Sequence, residues 1–194
     1  DEDINQKKKE IHNVSEKLDV IGLKISNARK KVIPNLKKEL ESLLSDLGMK
    51  NARFSINIKS TSHYFSNGKD ELEFFFSANK GGNFGELKKV ASGGELSRIM
   101  LAVKRVLSEN TQLPTIIFDE IDTGVSGDVA DKMAKMMRLM AKNQQVISIT
   151  HLPQVAAQSD QHYQVAKHVS DAVTRTHVVQ LNGEERVLEI AALL

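Results

Sequence analysis

Three short stretches carry side chains that could act together on a phosphate group. The first, Ser92-Gly93-Gly94-Glu95, stands before a run in which Leu96, Ile99, Met100, Val103, Val106 and Leu107 recur at helical spacing. Ser92 is thereby read as the cap of a helix whose first-turn N–H groups point outward, and the glycines let an anion approach that backbone. Taken alone, the stretch is better read as an ordinary capped helix after a turn. The second is Thr115-Ile116-Ile117-Phe118, an apolar run after Pro114 that leads into Asp119-Glu120. Two adjacent carboxylates can divide labour, one holding a hard cation such as Mg²⁺ and the other polarising an attacking water as general base. A solvated turn is the simpler alternative, but four apolar residues delivering two carboxylates favour function. The third is Val146 to Ile149 followed by Thr150 and His151. A neutral imidazole there could bond a phosphate or the attacking water. A lone histidine at a strand end is more often structural, and only its place after the other two stretches raises it.

The elements that must position these residues follow from length and pattern. The runs at 115–118 and 146–149 are β-branched and suited to buried parallel strands, whose carboxyl ends are where ligands sit in open α/β sheets. Pro153 opens the next helix at a position that tolerates proline. The fold class expected is α/β: parallel core strands, helices beside them, further strands at the margins, and a helical arm at the N-terminus.

The order Ser-Gly-Gly-Glu, strand-Asp-Glu, strand-Thr-His resembles the C-terminal lobe of an ABC-type ATPase head, in the branch that holds SMC proteins, Rad50 and bacterial RecN. The wording of Ala91-Ser-Gly-Gly-Glu-Leu-Ser-Arg-Ile99, Phe118-Asp-Glu-Ile-Asp-Thr-Gly-Val-Ser-Gly127 and Ile149-Thr-His-Leu-Pro-Gln-Val-Ala-Ala157 is similar to that of the RecN family in particular. The resemblance implies that Ser92, Gly93 and Gly94, with Glu95 beside them, form the ABC signature, which caps the γ-phosphate of ATP held by the opposite head of a homodimer. It implies that Asp119 is the Walker B aspartate supporting Mg²⁺, Glu120 the catalytic glutamate and His151 the switch histidine. Many SMC heads read Ala-Leu-Asp in the next loop, where this chain reads Gly124-Val125-Ser126. Asp122 and Ser126 are therefore candidates for nucleotide contact and cross-dimer communication whose roles stay open.

A phosphate-cradling Gly-x-x-x-x-Gly-Lys-Ser/Thr loop is not in the sequence, since the only Gly-Lys pair, Gly68-Lys69, is followed by Asp70 and lacks the earlier glycine. In the family that loop belongs to an N-terminal lobe beyond a coiled coil. The chain is thus expected to be a C-terminal fragment that needs this Walker A lobe as partner and does not hydrolyse ATP alone.

Composition sets the outer bounds. At 194 residues and 40% hydrophobic content the chain can bury one sizeable core plus an appendage. A formal net charge of +2 does not announce nucleic acid, and zero cysteines exclude disulfides and cysteine metal sites. No apolar run reaches transmembrane length, so no membrane role is expected; the resemblance implies a cytoplasmic, nucleoid-associated bacterial protein.

Residues 1–48 read as one strand of a coiled-coil arm, and 49–194 as the head lobe. Ile11, Val14, Leu18, Ile21, Ile25, Ala28 and Val32 alternate three and four apart. The spacing then slips beside Pro34, which predicts a kink or break near 33–35. A helical hairpin packed on the domain is the alternative, and an unpaired seam would invite self-association. Gly48 ends the helix, Arg53–Lys59 and Leu72–Ser77 alternate as two strands, and Ser60–Asp70 holds turn formers. Residues 128–142 read as a helix whose methionines face the core, 163–167 and 174–181 as strands around Ser170-Asp171, and 184–194 as a last helix. His162, His168 and His177 show no metal-ligand spacing.

The leading reading is half of an SMC-like ATPase acting in DNA double-strand-break repair and recombination, with DNA as the partner of the whole protein. Two others stay open: a non-enzymatic coiled-coil tethering module, and the head of another SMC or Rad50-type protein.

Overall fold

The computed structural model describes residues 2–111, 113–125, 127–170 and 173–194; Asp171 and the side chains of His168, Ser170 and Val173 lie outside that description. The chain divides into two compact units, Asp1–Ser45 with Asn51–Ala91, and Asp46–Lys50 with Ser92–Leu194.

The first unit is built on α1, Glu2–Asp46. The break expected near 33–35 is absent, for α1 runs unbroken through Pro34. Pro34 is exposed, so the carbonyl that loses its N–H partner can turn to water, while Ser26 and Leu40 on either side are held in place by burial. Against α1 lies a hairpin of β1, Arg53–Phe65, and β2, Gly68–Ser77, extended by the short β3, Gly85–Glu86. The expected turn at 60–70 is a correction too: most of it is strand, and the bend is confined to Ser66-Asn67 before Gly68 at φ +124°. A two-residue bend ending in a positive-φ glycine suffices to reverse the chain, so the remaining polar residues are free to extend the ladder. Phe54 and Phe76 are cross-strand partners with ring centroids 5.3 Å apart, and with Leu40, Leu44 and Ala52 they form the buried core of this unit. The Phe54 N–H donates to Glu41 Oε1 on α1 at 2.9 Å. A single turn, α2 (Leu87–Val90), follows.

The second unit begins with the turn around Gly48, whose φ of +83° is the left-handed conformation expected after a helix end. Its elements are α3 (Gly93–Asn110), β4 (Thr115–Asp119), α4 (Gly127–Met140), β5 (Gln145–Ile149), α5 (Pro153–Ala157), β6 (Tyr163–Ser170), β7 (Val173–Gln180) and α6 (Gly183–Ala192). As expected, β4 and β5 pair in parallel, from Thr115↔Gln145 to Asp119↔Ile149, and β6 pairs antiparallel with β7. Met133, Met136, Met137 and Met140 of α4 are buried with Ile99, Leu101, Ala102, Ile116 and Phe118. The helix thus packs by its methionine face, the commoner use of such a stripe.

One expectation is corrected here. The strands carrying the site are covered on one face only: Ile116 and Phe118 are buried, whereas Ile117 is 63% and Ile149 53% exposed. Parallel strands with apolar residues on both faces are ordinarily covered on both. Among the described residues, no helix is long and apolar enough to cross a membrane.

Candidate functional site

Each of the three stretches ends where the local chemistry of the chain requires. At the first, Ser92 caps α3 with φ −68° and ψ 164°; its Oγ accepts from the Glu95 N–H at 3.4 Å, and Glu95 Oε2 accepts from the Ser92 N–H at 2.9 Å. This reciprocal capping box fixes the helix start and commits the Glu95 carboxylate to it. Ser92 and Gly93 remain exposed at the positive end of an eighteen-residue helix. Gly94 sits beside the loop that follows β4: a Cβ built on it would stand 3.5 Å from the Thr123 carbonyl oxygen.

At the second, β4 delivers Asp119, exposed, to the end of the sheet. Glu120 then takes φ +48°, the only non-glycine residue with positive φ among those described. That conformation costs an L-residue roughly 1–2 kcal/mol, and such strain gathers where function selects it. Several bonds hold it. The Glu120 N–H donates to Ile149 O at 3.2 Å, tying the ends of both strands together, and the Glu120 carbonyl accepts from Thr123 N–H at 3.2 Å and Thr123 Oγ1 at 2.9 Å.

At the third, His151 leaves β5 exposed, one residue beyond Thr150. Since Asp119 and Ile149 are in register, Asp119-Glu120 and Thr150-His151 emerge side by side from one edge of the sheet. Asp122 is 1% exposed, and its Oδ2 accepts from the Thr150 hydroxyl. Thr150 Oγ1 in turn accepts from the Leu152 N–H at 2.9 Å, and Val125 N–H donates to Asp122 O at 3.1 Å. Asp122 therefore welds the loop after β4 to the loop after β5. Thr150 is the participant that the sequence reading passed over. Its only signal was a hydroxyl directly before the histidine, and the carboxylate it serves is 28 residues away. Ser126 lies outside the described residues.

Among the described residues no group of three His, Asp or Glu side chains could hold a metal alone. Asp119 fits a cation of the Mg²⁺ type, which takes one or two carboxylates and completes its shell with phosphate oxygens and water.

No family model matches the chain. Its relatives are informative. It is 37% identical over 198 residues to the DNA repair protein RecN of Halalkalibacterium halodurans, covering 100% of this chain and 35% of that protein. It is 40% identical over 174 residues to the RecN of Deinococcus radiodurans, covering 90% of this chain and 30% of that one. The chain belongs to the RecN family. It spans about a third of the length of these relatives. The Smc head domain of Pyrococcus yayanosii, with its coiled coil and joint, has the same fold: TM-score 0.69 at 20% identity, over 97% of this chain and 34% of that one. The Pyrococcus furiosus Smc head with an extended coiled coil matches at TM-score 0.64 and 18% identity, over 97% and 45% of the two chains. The RecN-family chain is thus an α/β segment of SMC-head fold.

Proposed function

We propose that this chain is the part of a RecN-type ATPase head that supplies the hydrolytic carboxylates and the signature helix, serving DNA double-strand-break repair. The observation that carries the reading is the register of β4 on β5, which brings Asp119, Glu120, Thr150 and His151 to one sheet edge with Glu120 pinned to Ile149. In the proposed site, Asp119 supports Mg²⁺, which supplies charge neutralisation at the phosphates. Glu120 orients and deprotonates the attacking water, and His151 hydrogen-bonds at the terminal phosphate. In phosphoryl transfer, positioning and charge stabilisation supply most of the rate.

The phosphate-cradling loop is proposed to come from a second lobe. The half-covered β4–β5 sheet, with Ile117, Ile147 and Ile149 exposed, supports an additional layer there. Ser92, Gly93 and Gly94, at the positive end of α3, are proposed to face the nucleotide of a second head in a homodimer. An SMC ATPase of like fold, at TM-score 0.56 and 20% identity, comes from work describing ATP-driven dimerisation and DNA-stimulated activation. DNA is the proposed partner of the assembled protein, and the bacterial nucleoid its proposed place.

The test is ATP hydrolysis by this chain alone and after mixing with a separately expressed Walker A lobe, with Glu120→Gln as control. Activity that appears only on mixing and disappears with Glu120→Gln supports the reading. Turnover by this chain alone that still depends on Glu120 would mean that it holds its own phosphate site.

A further inference from the structure

The segment that carries His151 away from the sheet has little of its own to hold it. α5 has five residues, Leu152 at its start makes no side-chain cap, and a helix this short does not hold itself together in water. Two arginines from other helices close its far end. Arg186 of α6, half-buried, reaches three carbonyls there through one nitrogen: Nη2 donates to Ala156 O at 3.2 Å, Ala157 O at 2.9 Å and Ser159 O at 2.5 Å. Arg138 of α4 donates through Nη1 to Gln158 O at 2.8 Å and is held there by Asp160 Oδ1, also at 2.8 Å. Every carbonyl from Ala156 to Ser159 thus accepts from a guanidinium, and two cations stand at the negative end of the helix. α6 is itself tied to β6, where Gln164 Nε2 donates to Glu189 Oε2 at 2.6 Å.

At its near end the same segment is tied across His151. The Leu152 N–H donates to Thr150 Oγ1, and the Thr150 hydroxyl donates to Asp122, so the residues on both sides of the histidine share one chain of bonds. Leu152 O then accepts from the Val155 and Ala156 N–H groups, both at 3.1 Å, which carries the connection to the carbonyls that the arginines grip. The His151 side chain is exposed, so its place is set by this backbone. We infer that Arg186 is a positioning residue for His151: by gripping the end of α5 it fixes where the imidazole stands beside Asp119 and Glu120. The use made of His151 rests on the ATPase reading, whereas the mechanical link from α6 to residue 151 does not.

Hydrogen exchange of the 194-residue chain tests the link without nucleotide. In Arg186→Ala the amides of Ala156, Gln158 and Ser159 are expected to exchange about tenfold faster, the effect of losing one charged hydrogen bond from a local opening equilibrium, and the Leu152 amide with them. Amides inside the β4–β5 pair keep their wild-type rates. Arg186→Lys, whose ammonium takes the place of the single bonding nitrogen, recovers most of the protection. In the ATPase reconstituted with the Walker A lobe, Arg186→Ala lowers kcat about tenfold and leaves KM for ATP unchanged. In a His151→Ala background the same substitution changes kcat by less than about twofold, the coupling expected of two residues that act through one position. Faster exchange confined to residues 156–159, equal acceleration throughout β4 and β5, or additive losses in kcat would each overturn the inference. If the wild-type mixture shows no turnover, the ATPase reading fails and the Leu152 amide alone decides the link.

Discussion

The Thr150 hydroxyl donates to the carboxylate of Asp122, joining the loops that leave two parallel strands. Asp122 is almost wholly buried, and its other oxygen, Oδ1, has no hydrogen-bond partner among the described residues. Replacing Thr150 by valine keeps the volume and removes the only donor to this carboxylate among the described residues. The expected cost is about 1–3 kcal/mol of unfolding free energy, the penalty for a buried acceptor left unsatisfied. Thr150→Ser should recover most of it. Urea denaturation of the three proteins decides the matter, and equal midpoints for wild type and Thr150→Val would show the bond to be dispensable.

Ser92 has both a structural and a proposed functional role, and the two can be separated. Aspartate caps helices as well as serine does, so Ser92→Asp should leave stability within about 0.5 kcal/mol, while Ser92→Ala should lose roughly 1 kcal/mol. In the reconstituted ATPase the order inverts. A carboxylate placed where a phosphate must approach abolishes turnover, and alanine only weakens it. Retention of full activity by Ser92→Asp would remove the signature helix from the site.

Glu120 holds a left-handed backbone that glycine adopts freely. Glu120→Gly is expected to leave stability unchanged or to raise it by up to about 1 kcal/mol, relief of strain being partly offset by chain entropy. The same variant should be inactive in the mixed assay, the pattern of a residue kept for chemistry at a cost in stability. A loss of more than about 1 kcal/mol would falsify the strain account.

Asp19, Tyr64 and Lys69 form a surface cluster joining α1 to the hairpin, with Asp19 Oδ1 accepting from Lys69 Nζ at 2.7 Å and from Tyr64 Oη at 2.8 Å. Hydrogen bonds first from Lys69 and then from Tyr64 hold the Asp19 carboxyl below its ordinary value, and the bond to Asp19 raises Lys69. A lowered carboxyl binds fewer protons folded than unfolded. Its stabilisation is therefore present above the unfolded value of about 3.9 and is lost as pH falls through the folded one. The raised Lys69 contributes below about 10.4 and loses its contribution as pH climbs through its folded value. Thermal melts from acid to neutral pH should show a smaller acid-side decline for Asp19→Asn than for wild type. Identical profiles would mean that solvent screens the cluster out.

The strand ends of the site were legible because two signals agreed there: apolar β-branched runs of strand length, and charged residues placed directly after them. The capping box was legible for a similar reason, since Ser92 and Glu95 stand three apart before a helical pattern. What escaped were relations that have no period. The pairing of Thr150 with Asp122 depends on two loops meeting, and neither neighbourhood records the other. Pro34 was expected to break a helix by local chemistry, but its face is open to water while the buried residues around it hold the helix. The residues from 60 to 70 looked like a turn because they are polar, yet polarity there reflects an exposed ladder, with Gly68 alone supplying the reversal. Glu120's backbone could not be read at all, because glutamate carries no preference for positive φ.

The hairpin grips α1 through Ser15, Asp19 and Arg29 and makes no hydrogen bond to it nearer its start among the described residues. From Ser15, its last bond to the hairpin, to Glu2 the helix runs 13 residues, or about 20 Å at 1.5 Å per residue. A tilt of about 5° at that grip would carry the far end through roughly 2 Å, close to the rise of one helical residue. The Tyr64–Ser15 bond thus sits at the fulcrum of a lever. Small changes in how the hairpin seats would be carried to the tip of α1 as displacements on the order of one helical residue.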